Sequence, residues 1–283
     1  MRVGEALGSA SQGLAAGGFE EAPLEAEVLL RHVLGVDRAK LYSMLGEEFS
    51  EGNAGALRRL VDRRLLKEPI AYIVEHREFF GLDFRVGPGV LIPRPESELL
   101  VEQALGVARG RFPKQDPRIA DVGTGSGAIA ISLAVLLPKA EIYATDVSPR
   151  ALEIAGGNCE RHGVQQRVRL LQGEMLSPVP QPVDIVVANL PYVSDADLAE
   201  LGEEVRAYEP VEALAGGADG LDKVRQLLGT VEGRLHEGGE VLLEVGSAQS
   251  RTVASLAEEF VPDCSVELVR DLAGAERVVK IRT

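Results

Sequence analysis

The chain has 283 residues, 45% of them apolar, which is enough for roughly two domains or one large domain with an extension. Its net charge of -14 disfavours a surface that grips nucleic acid throughout, because phosphate contacts need lysine and arginine. Two cysteines, Cys159 and Cys264, and four scattered histidines exclude a disulfide framework and argue against a zinc or other transition-metal site, so no metal is expected. The longest apolar stretch, Ala128 to Leu137, contains a serine and covers about half a bilayer span. No signal peptide or Arg-rich transit peptide is visible, and a soluble, cytoplasmic protein without a membrane partner is expected.

Residues 1–70 read as helical. Leu24, Val28, Leu29, Leu30, Val33 and Leu34 recur at spacings of three and four, and Leu57, Leu60, Val61, Leu65 and Leu66 repeat the pattern. Pro23 suits a helix start. Gly35-Val36-Asp37 and the stretch from Gly46 to Gly55 read as turns. The cluster Arg58, Arg59, Arg63, Arg64 and Lys67 reads first as a solvated helix face and second as a patch for an acidic partner. Residues 76–93 change character: Phe79 to Val86 alternates in part around Gly81, as a hairpin does. Ser97 then opens a helical pattern through Leu105. The expected division is a helical domain over 1–75, a hairpin connector over 76–95 and an α/β domain over 96–283.

From residue 118 strands and helices alternate. The expected strands are 118–122, 141–145, 167–171, 183–188 and 240–245, and the expected helices are 127–137, 149–160, 220–235 and 248–260. This rhythm predicts a mostly parallel sheet with helices on both faces. Residues 265–269 and 277–281 form two strand-like runs with no helix between them, so the end of the sheet is expected to be antiparallel.

Two places carry chemistry. Asp121-Val122-Gly123-Thr124-Gly125-Ser126-Gly127 follows the first strand of the α/β region and opens a helix, where backbone amides can face a ligand. Gly123, Gly125 and Ala128 satisfy a dinucleotide fingerprint, and Asp146 ends the next strand where an acid takes ribose hydroxyls. The loop alone fits a nicotinamide cofactor or S-adenosylmethionine. Asp121 tips the balance toward the latter, since a carboxylate suits a sulfonium or amino group and is awkward beside a pyrophosphate. Met175, in Gly173-Glu174-Met175, can cover a nucleobase or serve as loop packing. The second place is Asn189-Leu190-Pro191-Tyr192, directly after the apolar run 184–188. The Asn carboxamide donates and accepts hydrogen bonds in one plane, and the Tyr ring can stack on a flat group, so a planar nitrogen-bearing substrate fits; a strand ending in a plain turn is the alternative. His162 and His236 read as surface residues.

These motifs together resemble the HemK/PrmC family of peptide chain release factor glutamine N5-methyltransferases. The resemblance runs through Glu68 to Ile73, Phe79 to Phe84, Val90 to Glu96, Asp121 to Ala130, Tyr208-Glu209-Pro210, Ala213 to Leu221 and Gly238 to Gly246. It implies a Rossmann-like S-adenosylmethionine-dependent methyltransferase domain with a mostly parallel seven-stranded sheet, its last strand antiparallel, behind a small helical bundle that helps recognise the substrate. The implied reaction moves a methyl group from S-adenosyl-L-methionine to the side-chain amide nitrogen of the glutamine in a Gly-Gly-Gln loop of release factors 1 and 2, leaving S-adenosyl-L-homocysteine. Asp121, Gly123, Thr124, Gly125, Ser126, Gly127, Asp146, Met175 and Asn189 are the implied cofactor-binding residues. Asn189, Pro191 and Tyr192 are the implied catalytic residues, with Leu190 beside them on the substrate. Two positions depart from the family pattern: Leu190 stands where Asn-Pro-Pro-Tyr has its first proline, and Met175 where relatives often carry tryptophan. Leucine keeps the backbone carbonyl the reaction would use but loses the fixed φ. A ribosomal-protein glutamine methyltransferase and an N6-adenine methyltransferase remain open, as does a binding module that keeps the fold without turnover; direct nucleic-acid binding is disfavoured by charge.

Overall fold

The computed structural model describes residues 1–112 and 116–283. They divide into two units, Met1–His76 with Gly202–Tyr208, and Arg77–Leu201 with Glu209–Thr283.

The first unit holds helices α1 (Val3–Ala16), α2 (Ala22–Leu34), α3 (Arg38–Ser43), α4 (Glu51–Leu65) and α5 (Ile70–Val74). Its core is a set of residues at helical spacing: Val3, Ala6, Ala10 and Leu14 from α1, with Ala22, Ala26, Leu29 and Leu30 from α2. Pro23 lies in the first turn of α2, and Gly35 closes that helix in the left-handed region (φ 64°). Two local expectations fail. The stretch from Gly46 to Gly55 is not all turn: Ser50 accepts a hydrogen bond from Asn53 N (3.2 Å) and starts α4 at Glu51, a cap that outweighs Gly52 and Gly55. The basic cluster is not one solvated face either. Arg64 is only 5% exposed. Its guanidinium donates twice to Glu25 at 2.8 Å and once to Glu204 at 2.7 Å, and it lies 4.2 Å from the centre of the Phe19 ring. Tyr208 Oη also donates to the Leu66 carbonyl at 2.8 Å, so Gly202–Tyr208 is knitted into this helical unit.

After it come β1 (His76–Phe79) and β2 (Leu82–Arg85), a two-stranded sheet. Their two-residue link, Phe80-Gly81, has φ of 52° and 72°, the sign pattern of a tight I′ hairpin turn. The chain continues through α6 (Glu98–Arg111), β3 (Arg118–Val122), α7 (Ala128–Leu136), β4 (Glu141–Asp146), α8 (Pro149–Arg161), β5 (Val168–Gln172) and β6 (Val183–Ala188). Then follow α9 (Glu203–Tyr208), which belongs to the first unit, α10 (Asp222–Leu228), β7 (Leu235–Glu244), α11 (Ser250–Phe260), β8 (Ser265–Arg270) and β9 (Glu276–Arg282).

Among the described residues seven strands form one sheet in the order β5-β4-β3-β6-β7-β9-β8. All neighbours are parallel up to β7, and β9 runs antiparallel to both β7 and β8, as the tail without an intervening helix predicts. Alternate residues of each strand feed two apolar layers. Ile119, Ile142, Ile185 and Leu242 pack with α6 and α7, while Ala120, Tyr143, Val186 and Val241 pack with α10 and α11. Both faces are therefore covered, which is why β3, β4 and β6 read as continuous apolar runs. The helix expected over 220–235 ends at Leu228, because Gly229 and Gly233 break it and the next strand already begins at Leu235.

Strand order reverses between β3 and β6: from β3 the chain winds outward through β4 and β5, then returns to the other side of β3. Ligands of open α/β sheets bind outside the carboxyl ends of the strands at such a switch point.

Candidate active site

The glycine loop and the Asn189 tetrad leave this edge side by side, because Val122 and Ala188 are partners in the register of β3 and β6. Gly123, Gly125 and Gly127 have φ of 74°, 56° and 82°. Gly127 shows why the loop needs glycine. It caps α7 in the left-handed region, and a Cβ there would lie 2.9 Å from Ile131 Cδ1 and 3.2 Å from Ala155 Cβ. The loop is held from the neighbouring strand: the Gly123 and Thr124 amides both donate to the Thr145 carbonyl at 2.9 Å.

Two carboxylates frame it. Asp146 accepts from the Gly125 amide and from the Ser148 amide, each at 2.9 Å, one on each oxygen. Each oxygen retains a second acceptor position. Asp121 is 1% exposed. Its Oδ2 accepts from Thr124 Oγ1 (2.6 Å) and Ala130 N (3.1 Å), whereas Oδ1 has no hydrogen-bond partner among the described residues. Burial pushes this carboxyl up to about 6 despite the hydrogen bonds from Thr124 and Ala130, and Asp146 adds to the rise. A buried carboxylate with an empty oxygen beneath a glycine loop is matched to a donor or a cation.

On the other side, Asn189 Nδ2 donates to Ser97 Oγ at 2.9 Å. Leu190 is buried, and its Cδ2 lies 3.5 Å from the position a Cβ on Gly123 would take, so the tetrad packs directly against the loop. The Tyr192 carbonyl accepts from Gln249 Nε2 (2.9 Å), whose Oε1 in turn accepts from Gly246 N (3.1 Å). The Tyr192 hydroxyl is held above its usual value by burial and by the nearby Glu244 charge.

Between loop and tetrad lies a cavity of about 480 Å³, in the range that small-molecule sites occupy. Of the residues singled out in the sequence, Gly123, Gly125, Asp146, Met175, Asn189, Leu190 and Pro191 line it. Asp121, Thr124, Ser126, Gly127 and Tyr192 do not. Thr124 spends its hydroxyl on Asp121, the buried Ser126 gives its carbonyl to Asn158 Nδ2 (2.8 Å), and Gly127 shapes the helix start. Met175 holds a positive φ of 51°, with its carbonyl accepting from Thr145 Oγ1 at 3.0 Å. That conformation is costly for a residue with a side chain and marks a constrained wall.

Sequence reasoning missed the outer wall: Gly89 to Leu91, Ser148 and Ala151, and Pro210, Glu212, Ala213 and Lys223 also line the cavity. Two of these segments are tied together by Glu209, 4% exposed, which accepts from Ile92 N (3.2 Å) and pairs with Arg94. Both residues stand in blocks that the resemblance rests on, but nothing in either block says that they meet. The histidines are less free than expected. His162 Nε2 lies 2.9 Å from the Asp83 carbonyl, and His236 is within β7 with Nδ1 2.9 Å from Asp184 Oδ1; both are half-buried. Among the described residues no helix is long and apolar enough to cross a membrane.

Residues 5–74 match the model of the PrmC N-terminal domain, and residues 97–205 match that of the methyltransferase small domain. The release factor glutamine methyltransferase of Moorella thermoacetica is 45% identical over 278 residues, 98% of this chain and 97% of that protein. Its counterpart in Geobacter sulfurreducens is 41% identical over 94% of this chain and 91% of that protein. Among solved structures, a methyltransferase from Pyrococcus furiosus superposes with a TM-score of 0.52 at 22% identity, covering 78% of this chain and 95% of that one. The catalytic domain of hMettl16, solved with an RNA hairpin, superposes with a TM-score of 0.55 at 17% identity, covering 78% of this chain and 81% of that one. These two show the methyltransferase fold alone, whereas the near full-length identity to the curated relatives shows more: the chain belongs to the release factor glutamine methyltransferase family.

Proposed function

We propose that this protein transfers a methyl group from S-adenosyl-L-methionine to the side-chain amide nitrogen of the glutamine in the Gly-Gly-Gln loop of peptide chain release factors 1 and 2, in the cytoplasm. The observation that carries the reading is one cavity bounded on one side by Gly123, Gly125 and Asp146 and on the other by Asn189, Leu190 and Pro191.

The residues fit the cofactor. Asp121, with its empty buried oxygen, suits the cationic methionine end, with the glycine loop between them. Asp146 has acceptor positions left for ribose hydroxyls, and Met175 gives an apolar wall for the adenine. When bound, S-adenosylmethionine supplies an electrophilic methyl group.

The chain's own task is to hold a poor nucleophile. An amide nitrogen has a delocalised lone pair, so it must be presented with its out-of-plane density toward the methyl donor. Asn189 Oδ1 and the Leu190 carbonyl accept the two amide hydrogens, which fixes the plane. Pro191 keeps Leu190 extended, and Tyr192 closes the far side of the substrate. The catalytic contribution is orientation, with water kept out by the buried Leu190 and the Met175 wall. In this reading the helical unit, residues 1–75, contacts the release factor, the hairpin over 76–95 is a connector, and residues 96–283 carry catalysis.

The test is a labelled methyl-transfer assay with release factor, ribosomal protein and adenine-containing nucleic acid offered in parallel, the modified residue being mapped by mass spectrometry. Label on the glutamine of the release-factor loop is expected. Label on nucleic acid alone, or on ribosomal protein alone, overturns the assignment.

A further inference from the structure

Glu244 is the last residue of β7, one position beyond the Ala188–Leu243 register pair and therefore level with Asn189. It is 5% exposed, and its Oε2 has no hydrogen-bond partner among the described residues. Ser97, 4% exposed, stands with it: its Oγ accepts from Asn189 Nδ2 at 2.9 Å, and both side chains lie near enough to the Glu244 carboxylate to favour its ionised form. A buried carboxylate is thus built directly behind the carboxamide, and the reaction described above gives it nothing to do.

We propose that Glu244 is a positioning residue for methyl transfer: together with Ser97 it dictates which end of the Asn189 carboxamide faces the cavity. The inference rests on the glutamine-methyltransferase reading. Asn189 has its NH2 end on Ser97, which leaves Oδ1 on the other side, free to accept from the substrate amide. Flipping the carboxamide would set Oδ1 beside an ionised carboxylate with only the single Ser97 hydroxyl proton to serve both, so one buried acceptor would be left without a donor. Protonation of Glu244 removes that restriction, because a carboxylic acid donates, and the flipped amide then finds a partner. The flipped amide offers the substrate N–H only another N–H.

The surroundings hold the carboxyl near the point of switching. Burial pushes it up to about 7. Ser97, Arg277 on β9 and Asn189 pull it down, while Glu96 in the turn ahead of α6 pushes it up. Arg277 is itself shared, donating from Nε to Asp271 at 3.1 Å. Tyr192, from the tetrad, is the remaining titratable group facing it.

The experiment is steady-state glutamine methylation of the release factor at saturating cofactor from pH 5.5 to 9, for the wild type, E244Q and S97A, with cofactor affinity and unfolding midpoints measured alongside. For the wild type, kcat is expected to fall about tenfold per pH unit below about 7. E244Q, in which the amide presents either donor or acceptor, is expected to lose that step and to have kcat lowered about tenfold or more at pH 8, with cofactor Kd within about twofold. S97A keeps the carboxylate, so it is expected to keep the pH step at a lower kcat. An E244Q protein that folds and keeps both the wild-type kcat and the inflection overturns the proposal. So does an S97A protein with wild-type kcat, which answers the question even if E244Q does not fold. A wild type that leaves glutamine unmethylated at every pH overturns the functional reading instead.

Discussion

Replacing Asp121 by asparagine tests the cofactor end of the site through two linked quantities. In the folded, ligand-free protein the carboxyl titrates at about 6 against an ordinary value of 3.8, because it is wholly buried. That difference of about 2 pH units is worth about 3 kcal/mol at about 1.4 kcal/mol per unit. The sign follows from proton counts. Between pH 4 and 6 the folded state holds a proton that the unfolded state has released, so stability falls as pH rises through this window and stays lower above it. The Asp121→Asn protein lacks this term. Its stability relative to the wild type should improve by about 3 kcal/mol between pH 4 and pH 6 in urea unfolding without ligand. The cationic cofactor should reverse the ranking, because it favours the carboxylate across the glycine loop, and a through-space attraction of about 1–2 kcal/mol predicts a loss of affinity in the variant of about 5- to 30-fold. Binding at pH 6 should also release about half a proton from the wild type and none from the variant, read by calorimetry in two buffers of different ionisation enthalpy. Equal affinity, with equal proton release, would refute the assignment of Asp121 to the positive end of the cofactor.

Other substitutions probe the remaining parts. Asn189→Ala should lower kcat by about 100- to 1,000-fold, the cost of one missing oriented acceptor in the transition state, with most cofactor affinity retained in equilibrium dialysis. Wild-type turnover would remove Asn189 from the mechanism. Leu190→Ala keeps the carbonyl but vacates the packing against Gly123, so it should cost about 2–5 kcal/mol in unfolding while the folded fraction retains kcat within about tenfold. Gly127→Ala should destabilise by at least about 1–2 kcal/mol and lower Tm by several degrees, since a side chain there combines a left-handed φ with a 2.9 Å approach to Ile131. Arg64→Met leaves Glu25 and Glu204 without their shared cation and should cost about 3 kcal/mol, seen as faster hydrogen exchange in α2 and α4.

What the sequence could announce depended on how local the cause was. β3, β4 and β6 were legible because strands covered on both faces are continuous apolar runs. The glycine loop was legible because strand, glycines and helix follow one another directly, and the antiparallel tail because no helix separates its two runs. The end of α10 was misjudged because apolar Val231 and Leu235 continue the helical pattern past the glycines that break it. Pairings across long separations were invisible. Ser97 lies 92 residues from Asn189, and Ile92 lies 117 from Glu209, and nothing in either neighbourhood names its partner. Arg64 looked like one member of a surface cluster because its second carboxylate, Glu204, stands 140 positions away. Within the cavity, the rim from Gly89 to Leu91 was missed because loop residues that contribute mainly backbone carry no distinctive side-chain chemistry.

The place of Gly202–Tyr208 in the helical unit bears on the order in which the protein can be made. Domains generally fold from the N-terminus as the chain is synthesised. Here the first unit cannot finish that way: Arg64 waits for Glu204 and the Leu66 carbonyl for Tyr208, and β3 to β6 are all translated before either arrives. Until residue 208 has emerged, the Arg64 guanidinium in the nascent helical unit is paired with Glu25 but lacks its second carboxylate, and the Leu66 carbonyl lacks its donor. The amino-terminal part therefore matures after most strands of the sheet have been synthesised, and a fragment ending at residue 76 corresponds to an intermediate of synthesis, lacking the segment that completes it.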